Sequence, residues 1–154
     1  MKRISILLAD DNQLVRLEYR KLLKREADLK VVGEAKNGKL AVALVKKLRP
    51  DVVLMDVAMP VLNGLEALRQ IIKAVPATKV LMLSTYNDEV YIAEAMHAGA
   101  MGYLIKQTAF DCVCEAIREV NLGRKIFSPS VPKRFQQPKL KKAIPRRPEK
   151  TGAA

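Results

Sequence analysis

Apolar residues arrive in five short bursts over the first 128 positions, at Ile4–Ala9, Val31–Ala35, Val52–Met55, Val80–Leu83 and Met101–Ile105. The bursts are rich in Val, Ile and Leu and barely alternate, which is the pattern of parallel strands covered on both faces. A helix-length segment follows each one: Asn12–Ala27, Gly38–Leu48, Asn63–Val75, Asp88–Ala98 and Ala109–Leu122. In the first of these, Leu14, Leu17 and Leu22 stand among basic residues at amphipathic spacing. Asn37-Gly38, Arg49-Pro50, Asn63-Gly64, Pro76 and Gly99 punctuate the pattern. Regular alternation of strand and helix predicts an α/β domain over residues 1–124, a doubly wound, five-stranded parallel sheet with right-handed crossovers.

The pattern stops after Gly123. Ser128–Ala154 holds five prolines and many cations without periodic apolar positions, so 125–154 is expected to be a basic, proline-rich tail or linker, disordered in part. This changes the meaning of the net charge of +12. From Pro129 onward there are eight Lys/Arg and one Glu, 8 − 1 = +7, while residues 1–128 carry 20 − 15 = +5. Lys139, Lys141, Lys142, Arg146 and Arg147 would offer weak, nonspecific, salt-sensitive contacts to nucleic-acid phosphates. With Phe135 as the sole aromatic nearby, base stacking is weak, and a solvated chain end is the favoured reading. No 18-residue apolar run is present, so no membrane span is expected. The N-terminus lacks a signal-peptide cleavage pattern. Cys112 and Cys114 sit two apart on a helix and point to different sides, which argues against a disulfide or metal pair. A cytoplasmic protein is expected.

Ligands of doubly wound sheets bind beyond the carboxyl ends of the strands, near the point where strand order reverses. The first strand ends in Asp10 and Asp11, the third in Asp56, the fourth in Ser84 and Thr85, and the fifth in Lys106. Each has an ordinary structural explanation: Asp11 or Asn12 as a helix cap, Asp56 as a turn former, Ser84 as a filler hydroxyl, Lys106 as a surface cation. Together they are harder to dismiss, because three carboxylates at one edge repel and raise a pKa unless a cation compensates. Mg2+, hard and oxygen-seeking, suits that donor set. A carboxylate beside Mg2+ and a lysine is placed to attack a phosphoryl group. The transition state of that transfer is loose, so positioning and charge neutralisation do most of the catalysis.

The motifs "ADD" after the first strand, "LMDVAMPVLNG" around the third, "LST" ending the fourth and "HAGAMGYLIK" through the fifth resemble the receiver domain of bacterial two-component response regulators. The spacing fits as well, with 84 − 56 = 28 residues from Asp56 to Ser84 and 106 − 84 = 22 from Ser84 to Lys106. The resemblance covers residues 3–122 and implies a flavodoxin-like fold of five strand–helix units. It implies Asp56 as phosphoacceptor, with Asp10, Asp11, Asp56 and the backbone carbonyl of Ala58 as Mg2+ ligands. Ser84 and Lys106 would contact the phosphoryl group. It also implies a switch in which Ser84 moves toward the phosphate and Tyr103 turns inward, remodelling the fourth-helix, fifth-strand and fifth-helix face, through which a homodimer would form. The partner would be a sensor histidine kinase and the output transcriptional control. Such a domain catalyses only its own phosphorylation and dephosphorylation.

Gln107 follows Lys106 where the family frequently has proline, so a cis bond there is not expected. "GYLIKQTAFD" and "GRKIFSPSV" resemble the LuxR/FixJ-type subgroup, in which a DNA-binding helix-turn-helix follows. The 26 residues from Pro129 to Ala154 do not supply one, so the chain is expected to be either a single-domain regulator or the receiver piece of a longer protein, with DNA contact only through a missing or separate output domain. In the family, the positions of Ala58 and Tyr86 shape water access to the phosphate. His97 stands near a helix end, where a dipole or packing role is favoured over a relay or metal role. No phosphate-cradling glycine loop is present. Two alternatives remain: a Mg2+-dependent phosphatase with Asp56 as nucleophile, and an interaction module that is never phosphorylated. The first lacks a second acid, since Ala58 stands two residues on. The complete acidic set argues against the second.

Overall fold

The computed structural model describes residues 2–85 and 88–136. Strands β1 (Ile4–Ala9), β2 (Leu29–Ala35), β3 (Val52–Asp56), β4 (Lys79–Ser84) and β5 (Gly102–Ile105) alternate with helices α1 (Gln13–Lys24), α2 (Gly38–Leu48), α3 (Gly64–Ala74), α4 (Glu89–His97) and α5 (Lys106–Asn121). The inner strands β1, β3 and β4 are mostly apolar because both of their faces are covered, whereas the edge strand β2 carries Lys30 and Glu34 and is largely half-buried. Ile6 and Leu8 of β1, Val52 and Leu54 of β3, and Leu81 and Leu83 of β4 enter one core beneath α1 and α5. Leu7 and Ala9, Val53 and Met55, and Val80 and Met82 enter the other core, beneath α2, α3 and α4. The period-2 geometry of a strand thus sends neighbouring residues into separate cores.

The sheet is parallel throughout, in the order β2-β1-β3-β4-β5 with a further short strand, Ile126–Phe127, beyond β5. Five strands were expected from the apolar bursts. The sixth, β6 (Ile126–Phe127), pairs with β5 and is two residues long, too short to leave a periodic signal. Packing continues past it, since Ser128 and Val131 are buried and Lys133–Phe135 forms a 3-10 turn. These residues fall within the segment that composition marks as a tail.

Helix starts follow the side chains that precede them. Asn12 Oδ1 accepts the Leu14 and Val15 N–H groups at 2.9 and 3.2 Å. Asn37, Asn63 and Asp88 cap α2, α3 and α4 in the same manner. α5 begins at Lys106, three residues before the apolar periodicity at Ala109, because Lys106, Gln107 and Thr108 are polar. Its N-cap, Ile105, makes no side-chain capping bond. Peptide bonds among the described residues are trans, that before Gln107 included.

Candidate functional site

The polar residues that interrupt the strands gather at one sheet edge. β1 and β3 are neighbours with Ala9 opposite Met55, which brings the next residues, Asp10 and Asp56, side by side. β4 and β5 continue the edge, with Ser84 opposite Ile105, and Lys106 opens α5 directly after. The chain turns from β1 to β2 on one side and reaches β3 on the other, so the cluster lies at the reversal point that favours ligand sites.

Lys106 is the hub. Its Nζ lies 2.8 Å from Asp10 Oδ2 and 3.4 Å from Asp56 Oδ2. The Asp10 and Asp56 side chains are 7% and 8% exposed and that of Lys106 19%, so these charges meet with little water between them. Asp10 Oδ1 also accepts the Asn12 N–H at 2.9 Å. Asp56 Oδ1 accepts the Ala58 N–H at 3.3 Å. Burial first, and then the Asp10 charge, push the Asp56 carboxyl up to about 6, against the opposing pull of Lys106 and the Ala58 N–H. Burial by itself would lower Lys106, but the hydrogen bond to Asp10 and the Asp56 and Asp10 charges outweigh it and raise its pKa.

Asp11 is exposed, and its carboxylate shares a cluster with Asp10 and Asp56 in which one ligand atom from each lies within 4.8 Å of the others. Asp11 and Ala58 line a cleft of about 420 Å³ with Met59, Asn63 and Tyr91. Oxygen-only donors beside an open cleft suit a hard divalent cation such as Mg2+, which keeps several waters. A single lysine does not neutralise three carboxylates.

The loop after β3 is pinned close to Asp56. Gly64 N–H donates to the Val57 carbonyl at 2.8 Å, and a Cβ on Gly64 would fall 2.0 Å from the Asp56 carbonyl oxygen. Leu62 N–H reaches the Pro60 carbonyl at 2.7 Å around Val61 at φ 70. This is a γ-turn on a β-branched residue, strain of order 1–3 kcal/mol that the surrounding loop must sustain.

Ser84 is 1% exposed and Tyr103 is 0% exposed, with the tyrosine inside the core shared by α2, α3 and α4. Burial raises the Tyr103 phenol, and a hydrogen bond with Ser84 opposes that rise. The strand-end residues singled out from sequence, Asp10, Asp11, Asp56, Ser84 and Lys106, therefore share this edge, with Tyr103 two positions in from the end of β5. His97 is exposed in the last turn of α4, and Cys112 and Cys114 are unpaired thiols on α5. Tyr86, Lys139, Lys141, Lys142, Arg146 and Arg147 lie outside the described residues.

Three supporting residues have roles that sequence reading does not assign, although Val61 lies within "LMDVAMPVLNG" and Ser128 within "GRKIFSPSV". Arg16 Nη1 donates to the Asp10 carbonyl at 2.6 Å while its Nε pairs with Glu34 at 2.9 Å, fixing the turn that bears the acids. Six residues separate Arg16 from Asp10, a distance bridged only once α1 is folded. Val61 and the buried Ser128 are the others.

The profile of the response regulator receiver domain matches residues 6–118. A transcriptional regulatory protein of Bacillus subtilis, YxjL, is 43% identical over 125 residues, covering 81% of this chain and 57% of that one. DegU of Brevibacillus brevis is 41% identical over 129 residues, covering 84% and 55%. The chain thus spans a little over half the length of these curated relatives. Among solved structures, a LuxR-family two-component response regulator from Aurantimonas sp. SI85-9A1 aligns with a TM-score of 0.81 at 32% identity, covering 84% of this chain and 93% of that one. The response regulator domain of Thermotoga maritima CheB aligns at 0.74 with 33% identity, covering 79% and 98%.

Proposed function

Because the chain belongs to the response regulator receiver domain family, we propose that it is a phosphorylation switch whose acceptor is Asp56. The observation that carries this reading is the contact of Lys106 with both Asp10 and Asp56 at 2.8 and 3.4 Å in a desolvated pocket. Asp56 needs no general base: with its carboxyl pushed up only to about 6, it is mostly ionised at neutral pH. A bond forms between an Asp56 carboxylate oxygen and phosphorus as the bond from phosphorus to the donor nitrogen of a sensor histidine kinase breaks, and the departing imidazole takes up a proton. Lys106 neutralises the phosphoryl oxygens, and Ser84 donates to one of them. The cation would be held by Asp10, Asp11, Asp56 and the Ala58 carbonyl. Bound there, Mg2+ supplies further charge neutralisation and orientation.

The Ser84–Tyr103 pair is the switch. A phosphoryl oxygen competes for the Ser84 hydroxyl, and the change biases α4, β5 and α5 between two arrangements. A homodimer through that face would use the exposed sides of α4 and α5, since β6 covers the β5 edge. The relatives' printed descriptions as transcriptional regulatory proteins support an output in transcription, delivered through a separate DNA-binding module. We assign the receiver to residues 1–124 with residues 126–135 packed against it, and the setting to the cytoplasm; no helix among the described residues is long and apolar enough to cross a membrane. The direct test is incubation with acetyl phosphate and magnesium. Wild type gains the mass of one phosphoryl group, and Asp56→Asn gains none. No gain in wild type refutes the reading.

A further inference from the structure

The segment after α5 plays no part in the acceptor chemistry described above, yet it is attached to the strand that leads into the acceptor site. β6 sets Ile126 opposite Gly102 and Phe127 opposite Tyr103. Gly102 permits the approach: a Cβ there would lie 2.3 Å from the Ile126 carbonyl oxygen. Where β6 stops, Ser128 takes over. Its N–H donates to the Tyr103 carbonyl at 3.1 Å, and its hydroxyl oxygen accepts the Ile105 N–H at 2.8 Å. Ser128 is 0% exposed. Along a parallel strand, alternate residues turn their amide and carbonyl groups to the same neighbour. The Tyr103 carbonyl and Ile105 N–H therefore both face a strand that has run out, and buried groups of this kind need partners. One serine satisfies both, with its backbone for the first and its side chain for the second. Ile105 is the N-cap of α5, without a side-chain cap of its own, and the next residue is Lys106.

Resting on the reading of Asp56 as phosphoacceptor, we propose that Ser128 is a positioning residue that fixes the β5–α5 junction so that Lys106 meets the acceptor carboxylate, and so couples the segment after α5 to occupancy of the site. The coupling has a physical route onward. Val131, 1% exposed, donates its N–H to the Ser128 carbonyl at 3.0 Å. Arg134 pairs with Glu89 in the first turn of α4. Phe135 packs against the core that holds Tyr103. Residues 126–135 thus join the strand bearing Tyr103 to the start of α4. A hook that favours the occupied site must in turn be tightened by occupancy, because coupling between two sites is reciprocal.

The test compares full-length wild type, Ser128→Ala and Ser128→Thr. Beryllofluoride affinity is measured in saturating magnesium, magnesium affinity by itself, and amide exchange of Ile105 and Ser128 in wild type with and without beryllofluoride. Ser128→Ala should bind beryllofluoride about tenfold more weakly, a typical coupling factor, while magnesium affinity should not fall, because the metal-binding carboxylates stand on β1 and β3 and a displaced Lys106 competes less for Asp10 and Asp56. Loss of fold would weaken both. Ser128→Thr, which keeps the hydroxyl, should restore binding. In wild type, beryllofluoride should slow exchange of both amides by a similar factor. Wild-type exchange that ignores beryllofluoride overturns the proposal even if Ser128→Ala does not fold. So do alanine and wild-type affinities equal within about twofold, or a threonine variant that behaves like alanine. Wild type that binds magnesium but no beryllofluoride refutes the acceptor reading, and this proposal with it; normal wild-type binding with an unaffected alanine variant refutes Ser128's role alone.

Discussion

Replacing Asp56 with asparagine should make the metal-free protein more stable at neutral pH, although it removes the group on which the function depends. The carboxyl titrates near 3.8 when unfolded and is pushed up to about 6 in the fold by burial and by Asp10. Below both values, the folded and unfolded chains carry the same proton and the group contributes nothing. As pH rises from about 4 to about 6, the unfolded chain ionises first, so stability falls across that window and the penalty is complete above it. A shift of about two units at about 1.4 kcal/mol each sets an upper bound near 3 kcal/mol. Asparagine carries no charge to desolvate, and its amide oxygen can still accept the Ala58 N–H, so a gain of about 1–3 kcal/mol is expected, or roughly 3–10 °C in Tm. The assay is thermal and urea unfolding in chelator at about pH 7.5 and again near pH 4, where the two proteins should converge. Magnesium should stabilise wild type by mass action and the asparagine variant much less. An Asp56→Asn protein that is no more stable than wild type at neutral pH, or whose advantage persists unchanged at low pH, would refute the electrostatic account of this site.

Lys106→Ala should fold but slow phosphoryl uptake from acetyl phosphate by at least about tenfold, and leaving Asp10 and Asp56 uncompensated should cost about 1–3 kcal/mol, less than a fully buried pair; single-turnover mass spectrometry and urea unfolding check both. Gly64→Ala drives a Cβ to within 2.0 Å of the Asp56 carbonyl oxygen, so the loop must move, with a loss of about 1–3 kcal/mol and weaker magnesium binding by calorimetry. Arg118 bridges Glu26 at 2.6 Å and Asp28 at 2.9 Å, and its hydrogen bond holds the Asp28 carboxyl below its usual value. Arg118→Ala should therefore cost only about 0.5–1 kcal/mol at this solvated site, and the difference should fade as pH falls through the carboxylate range in urea titrations.

The strands and the acid cluster were legible in the sequence because both are written in local patterns. β1, β3 and β4 each carry an apolar run, Ile6–Ala9, Val52–Met55 and Val80–Leu83, and each run gives way to a polar residue whose type announces chemistry. The edges of elements were less legible. α5 starts at Lys106 rather than Ala109 because its first turn is polar, so apolar periodicity begins a turn late. β6 escaped detection because Ile126 and Phe127 are a strand only through β5 beside them, and a two-residue run has no period. Ser128 reads as the start of a proline-broken tail, and its burial follows from which β5 groups β6 leaves unpaired, a fact of register rather than of composition. Arg16 and Val61 likewise acquire their roles through tertiary contact and loop closure.

The central claim is that the carboxylate held between Asp10 and Lys106 is where phosphorus lands. The most direct measurement is to treat the protein with acetyl phosphate and magnesium, reduce the acyl phosphate with labelled borohydride, and map the label by peptide sequencing. The account predicts label at Asp56, abolished when magnesium is chelated. Label on another aspartate, or none despite bound magnesium, would contradict it.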